Sequence, residues 1–299
     1  MNKVLIICGP TATGKTAVAV KLAKKFNGEL VSADSRQVYR GMNIGTGKDT
    51  MSLQGIPIWM YDVVNPDESF NVSQYQILAA QVIAGIMKRG KLPIIVGGTG
   101  LYIKSLISSF DGAGVGPDEA LRKKLSTYSL SALQKMLQDV GKELWDVMNV
   151  SDRQNPRRLI RKIEIAHGTK QEQPVKKIPY DVCQIGLRMD SIALYKRIDE
   201  RVMRRVEEGV EQEIRILLQK GYRWDLPSMS GLGYRQWKAY VDKTNTKEEV
   251  IERWKFDEHG YARRQMTWFR ADKTIHWFDA AKRGIDKEIE SAVTSWYTL

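Results

Sequence analysis

Cysteine and histidine are scarce in this 299-residue chain. Cys8 and Cys183, with His167, His259 and His276, lie too far apart to form a zinc motif, and so few cysteines fit a reducing compartment. Long apolar runs are missing too. Val4-Leu5-Ile6-Ile7-Cys8 follows Met1-Asn2-Lys3 directly and is too short for the core of a signal peptide, and no segment approaches the roughly 20 apolar residues that span a bilayer. No internal repeat or low-complexity tract is present. These absences lead us to expect a cytoplasmic protein with no membrane partner. What the chain has in excess is positive charge: 47 Lys and Arg against 35 Asp and Glu, a net +12, whose field draws polyanions. Charge scattered over an ordinary soluble surface would give the same sum. With 42% hydrophobic residues the chain can bury a substantial core, as one large α/β domain with an insertion or as two modest domains.

Short apolar runs alternate with amphipathic stretches over the first hundred residues. Val4 to Cys8, Glu29 to Ala33, Ile56 to Val64 and Leu92 to Val96 read as strands, and Thr16 to Phe26 and Ser73 to Lys88 as helices. That alternation predicts an α/β fold, a parallel sheet flanked by helices. After Phe110 a Gly-rich joint, Asp111 to Pro117, leads into charged helical sequence up to about Asn149. A polar, Pro-containing loop covers Gln171 to Pro179, Val182 to Leu187 resumes strand character, and one long helix is expected over Ser191 to Lys220. The remainder, with Trp237, Trp254, Trp268 and Trp277, reads as helical and basic. The expected boundaries are a core of residues 1–110 and 183–299 and a helical insertion of residues 111–182.

Gly9-Pro10-Thr11-Ala12-Thr13-Gly14-Lys15-Thr16 follows the first strand and opens the first helix, with the glycine, Lys and Thr spacing of a P-loop. The glycines let backbone N–H groups wrap an anion at a helix N-terminus, Lys15 adds a point charge, and the Thr16 hydroxyl is placed to ligate Mg²⁺. Such a loop announces a di- or triphosphate, not a reaction. The second strand ends in Ser32-Ala33-Asp34-Ser35-Arg36-Gln37. Taking that strand as the neighbour of the P-loop strand puts Asp34 near the phosphates, as a general base, a metal-side carboxylate or a helix cap. A small-molecule kinase and a non-catalytic RNA-binding NTPase module are compatible with the same residues.

Asp34 to Thr46, taken with the P-loop, resembles the opening of the tRNA dimethylallyltransferase family. Four further blocks resemble that family in order: Gly97-Gly98-Thr99-Gly100-Leu101-Tyr102, Asn155-Pro156-Arg157-Arg158-Leu159-Ile160-Arg161, Gly231-Leu232-Gly233-Tyr234-Arg235, and Tyr261 to Arg270. The resemblance covers almost the whole chain. It implies a P-loop NTPase-like sheet carrying a helical insertion that contacts tRNA, and transfer of a dimethylallyl group from dimethylallyl diphosphate to the exocyclic amine of the adenine adjacent to the anticodon. Prenylation of free adenine nucleotides is the related alternative. A monomer is expected.

Carried over by resemblance, Gly9, Thr11, Ala12, Thr13, Gly14, Lys15 and Thr16 would hold the diphosphate, with Mg²⁺ on Thr16. Asp34 would accept the amine proton, and Lys15 and Thr99 would complete the catalytic set, although Thr99 also suits a helix cap. Ser35, Arg36 and Gln37 resemble readers of the target base or its flanks. Arg122, Arg157, Arg158 and Arg161 in the insertion, and Arg263, Arg264, Gln265 and Arg270 near the end, resemble tRNA contacts, although basic helix faces are also simply solvated and Trp268 and Phe269 suit a core. The family's pyrophosphate arginine falls here at Ser191, and Arg188, three residues earlier, is the substitute candidate.

Overall fold

Lys3–Cys8 (β1) is buried along its whole length, as expected of a strand covered on both faces. It lies inside a six-stranded sheet with Gly28–Ser32 (β2), Ile58–Trp59 (β3), Leu92–Val96 (β4), Asp181–Arg188 (β5) and His276–Asp279 (β6), in the order β3-β2-β4-β1-β5-β6. Every pairing is parallel, and the register sets Leu5 between Ile94 and Cys183 and Ile7 between Val96 and Ile185. The computed structural model describes residues 2–48, 50–108, 115–168 and 180–298.

Two compact units result, residues 1–108 with 178–299 and residues 109–177. In the first, Lys15–Lys25 (α1) covers one face of the sheet, and Val72–Lys88 (α2) and Gly100–Ile107 (α3) cover the other. Asn71 starts α2 with a capping box: its side chain accepts from the N–H groups of Ser73 and Gln74, and Gln74 accepts from the N–H of Asn71. The second unit holds Glu119–Leu125 (α4), Leu130–Val140 (α5), Lys142–Asp146 (α6), Val150–Arg153 (α7) and Pro156–His167 (α8) around Leu133, Leu137, Leu159 and Ile163. The first unit then resumes with β5, followed by Ser191–Glu207 (α9), Val210–Gln219 (α10), Trp237–Val241 (α11), Lys247–Arg270 (α12), β6 and Ile285–Thr298 (α13). Trp237, Trp254 and Tyr234 are buried where these helices meet Val38, Tyr39 and Met42.

Several expectations change. The long helix over 191–220 is two helices, because Gly209 takes φ +94° between α9 and α10, a left-handed conformation that stops α9. The strand over 56–64 shrinks to β3, since Met60 and Asp62 both adopt positive φ just beyond it. Trp277 belongs to a strand, not a helix, and Asp181 and Val182, set in the insertion by sequence, pair with Lys3 and Val4 in the sheet. The Gly-rich joint up to Gly114 and the loop of Gln171 to Pro179 lie outside the described residues.

The candidate active site

The loop between β1 and α1 is shaped by two residues that only glycine satisfies. Gly9 has φ +132° and a Cβ there would sit 2.3 Å from the carbonyl oxygen of Leu187 on the adjacent strand, while Gly14 takes φ +87° immediately before α1. No side chain caps α1, so its first N–H groups and the positive end of its dipole face the loop. Thr13 and Lys15 both donate to the Pro10 carbonyl, at 2.9 and 2.8 Å, and Ala12 holds a left-handed backbone at φ 63°. Burial and the nearby Arg201 guanidinium lower the Lys15 pKa to about 8, against an opposing pull from Asp34.

Beside this loop opens a cavity of about 360 Å³, lined by Thr11, Lys15, Thr16, Asp34, Ser35, Arg36, Gln37, Arg201, Arg264 and Gln265 among others. Asp34 therefore meets Lys15 and Thr16 in one space, although by a different route from the one expected. β2 is not the neighbour of β1, because β4 lies between them. The carboxyl ends of parallel strands share one edge of the sheet, so Asp34 after β2 and Gly97-Gly98 after β4 open on the same crevice as the loop after β1. Asp34 Oδ1 accepts from the Arg36 N–H at 2.8 Å, which fixes the turn. Gln37 is held at both ends of its amide, accepting from Ser32 Oγ at 2.8 Å and donating to the carbonyls of Thr46 and Gly47. Thr99 precedes α3 without a side-chain cap bond, and its Oγ1 accepts from the Ser35 N–H at 3.1 Å. The Thr99 hydroxyl also bonds the Tyr261 phenol, whose pKa burial and the Asp34 charge push up, so the phenol stays protonated.

Two residues carried over from the resemblance take other positions. Arg188 is exposed at the end of β5 and Ser191 is exposed at the start of α9; neither lines the cavity. From α9, Arg201 and Arg205 line it instead, and nothing in the local sequence beyond helical spacing marks Arg201. Arg201 donates to the Thr11 hydroxyl and lies 3.7 Å from the buried Glu258, which also holds Arg205 at 3.4 Å. Burial and the Arg205 charge lower its pKa to about 10, so it remains a cation at neutral pH. Gln265 is buried, accepting from the Thr11 N–H and donating to the Gly98 carbonyl, so it ties the loop to the end of β4.

The other basic candidates divide. Arg264 lines the cavity over the Tyr261 ring, Arg263 donates to the Tyr195 hydroxyl at 3.0 Å, and Arg270 is exposed at the end of α12. Trp268 is 44% exposed while Phe269 is core. In the second unit Arg122 and Arg161 grip buried Glu164, Arg158 pairs with Asp152, and Arg157 is exposed on α8.

Among the described residues no cluster of three or more His, Cys, Asp or Glu could hold a metal alone. Thr16 and Asp34 do offer a hydroxyl and a carboxylate to one cavity, hard oxygen donors that fit Mg²⁺ if phosphate and water supply the rest. The cavity thus brings the start of the uncapped α1, Lys15, Arg201 and the Asp34 carboxylate into one space. No helix among the described residues is long and apolar enough to cross a membrane.

Known proteins share this arrangement of sheet and loop. Residues 37–272 match the family model described as IPP transferase. The tRNA dimethylallyltransferase of Roseiflexus sp. (strain RS-1) is 39% identical over 305 residues, 99% of each chain, and that of Pelotomaculum thermopropionicum is 42% identical over 280 residues, 91% of this chain and 89% of the relative. The full-length tRNA isopentenylpyrophosphate transferase of Bacillus halodurans superposes with a TM-score of 0.75 at 38% identity, covering 99% of this chain and 97% of the other. A eukaryotic dimethylallyltransferase acting on tRNA shares the fold, with a TM-score of 0.81 at 24% identity over 99% of this chain and 79% of that one. A likeness that runs from the first strand to the last helix, at this identity, settles the kinship: the chain belongs to the tRNA dimethylallyltransferase family.

Proposed function

We propose that this chain transfers a dimethylallyl group from dimethylallyl diphosphate to the exocyclic amine of the adenine adjacent to the anticodon of tRNA, releasing pyrophosphate. The observation that carries this reading is that one cavity is lined by Lys15, Arg201 and Asp34 together. A phosphate grip with a carboxylate beside it would also serve a kinase; kinship with the tRNA dimethylallyltransferases favours an adenine amine as the nucleophile that Asp34 deprotonates.

In the reaction the amine nitrogen forms a bond to the allylic carbon as the carbon–oxygen bond to the diphosphate breaks. Negative charge grows on the departing pyrophosphate, and a diphosphate held at the loop would give that charge to Lys15, Arg201 and the uncapped N–H groups of α1. The Asp34 carboxylate, which lines the cavity and is held through Oδ1 by the Arg36 N–H, takes the proton that the amine loses. Thr16 would hold Mg²⁺, which would supply further neutralisation of the pyrophosphate oxygens. Gln37, Ser35, Arg36 and Thr99 lie around the carboxylate, where an extruded base would have to arrive. Arg263, Arg264, Gln265 and Arg270 on α12, and Arg122, Arg157, Arg158 and Arg161 in the second unit, are proposed as the tRNA side, with Gln265 acting through the loop it holds. A cytoplasmic monomer fits this reading.

Incubating the protein with unmodified tRNA, labelled dimethylallyl diphosphate and Mg²⁺ should place label in RNA. Absence of label there would reject the reading, label in AMP in preference to tRNA would favour a free-nucleotide prenyltransferase, and ATP consumption would favour a kinase. Asp34→Asn should lower kcat by about 10²- to 10⁴-fold with tRNA binding kept.

A further inference from the structure

Glu213 lies on α10, away from the cavity lining, yet its carboxylate collects four donors. Oε2 accepts from the backbone N–H groups of Asn43 at 2.7 Å and Ile44 at 2.8 Å. Oε1 accepts from the N–H of Gly45 at 3.1 Å and from the Tyr234 hydroxyl at 2.7 Å. Three consecutive backbone donors on one carboxylate hold a loop far more firmly than any one of them, since each bond is charge-assisted. The Tyr234 ring closes the other side. A Cβ on Gly45 would stand 2.5 Å from Cε2 and Cζ of that ring, so the loop backbone rests directly on it.

The same loop forms part of the cavity wall: Gly45, Thr46 and Gly47 line it. The carbonyls of Thr46 and Gly47 receive the Gln37 side-chain amide, whose other end accepts from Ser32 Oγ. An unbroken chain of contacts therefore runs from Glu213 and Tyr234, through the backbone of residues 43–47, to an amide three residues from Asp34.

We propose that Glu213, with Tyr234, is a positioning residue for transfer: it sets the 43–47 wall and, through the Thr46 and Gly47 carbonyls, the orientation in which Gln37 meets the acceptor base. The inference rests on the transfer reaction proposed above. Misplacing a wall that orients the acceptor lowers turnover, and the hydrogen bonds that hold this wall do not involve the loop from Gly9 to Thr16. Glu213→Gln tests it sharply, because the amide presents an NH₂ donor to groups that are themselves donors.

In the full-length protein, Glu213→Gln should speed amide hydrogen exchange at residues 43–45, lower kcat for tRNA prenylation about tenfold to a hundredfold, and leave the Kd for inorganic pyrophosphate within about twofold. In a Gln37→Ala background the same substitution should cost much less than in the wild type, since the two act through one loop. Gly45→Ala, which drives a methyl into Tyr234 and leaves the carboxylate intact, should reproduce the kcat loss if Glu213→Gln folds poorly. Unchanged exchange at 43–45, full additivity with Gln37→Ala, or equal losses in kcat and pyrophosphate affinity would overturn the proposal. Wild-type protein that transfers nothing would reject the reaction instead, and the exchange measurement would still decide whether Glu213 holds the loop.

Discussion

Gln265 accepts a hydrogen bond at 2.9 Å from the backbone N–H of Thr11, 254 residues away in sequence, and its amide donates at 2.9 Å to the carbonyl of Gly98. One buried side chain on α12 thus joins the anion loop after β1 to the turn after β4. Gln265→Leu should leave both backbone groups unsatisfied at about 1–3 kcal/mol each, lowering the Tm of the whole chain. Pyrophosphate affinity should fall with it, by titration calorimetry, because the loop loses its anchor. Pyrophosphate bound as tightly as by wild type would show that the loop keeps its shape without Gln265.

Lys15 gives the site a pH dependence. Its pKa in the free protein is lowered to about 8, and a bound anion favours the charged form, so binding takes up a proton above that pH. Affinity for pyrophosphate should be level below about pH 8 and fall above it, by up to about tenfold per pH unit. Comparing wild type with Lys15→Met removes the titration of pyrophosphate itself; a difference that stays constant from pH 7 to 9.5 would contradict the assignment.

Arg201 and Lys15 are coupled cations. Arg201→Met should weaken pyrophosphate binding by about tenfold or more, as expected for loss of a charge-assisted bond. It should also raise the pH at which binding declines, since the Arg201 charge helps to lower the Lys15 pKa. Arg188→Met, at an exposed position outside the cavity, should do neither. An Arg188 effect as large as that of Arg201 would reverse the assignment.

Glu164 organises the second unit. It accepts from Arg122 Nε at 2.7 Å, Arg161 Nη1 at 3.1 Å and the Asp118 N–H at 3.0 Å. Burial opposes its charge, but the Arg122 bond, the Asp118 N–H and Arg161 together hold its pKa below the usual value. A depressed carboxyl contributes stability that is present above its unfolded pKa and is lost as pH falls through the folded value. Glu164→Leu, which leaves the Asp118 N–H without its acceptor and two partly exposed arginines without their anion, should destabilise this unit by about 1–3 kcal/mol and flatten its acid limb. Thermal melts from pH 3 to 7 would show an unchanged acid limb if the ion cluster were unimportant.

The parts of this protein that are local in sequence were legible in it. β1 and the loop from Gly9 to Thr16 could be read directly, because backbone wrapping needs glycine at fixed spacing and the Lys-Thr pair opens a helix. β4, α1 and α2 followed from periodicity alone. Where a single residue's backbone angle mattered, reading failed: Gly209 at φ +94° split a helix whose apolar pattern continues unbroken across it.

What the sequence could not contain is distance. Arg201, Glu258 and Gln265 reach the loop after β1 only because α9 and α12 pack against it; Gln265 stood out by resemblance, as a tRNA contact and not as the anchor of that loop, and nothing in the neighbourhoods of Arg201 and Glu258 distinguishes them from solvated helix residues. Arg188 looked nearer because it is nearer in sequence to the family position at Ser191, whereas a helix returns every third or fourth residue to the same face and carries Arg201 inward instead. Sequence alone determined that the loop from Gly9 to Thr16 has the spacing of a P-loop and that the chain resembles a prenyl transferase for tRNA. Tertiary structure decided which cations share the cavity with Lys15, that Asp34 lines it across an intervening strand, and that Glu213 holds the backbone of residues 43–45 beside it, because each depends on packing between segments far apart along the chain.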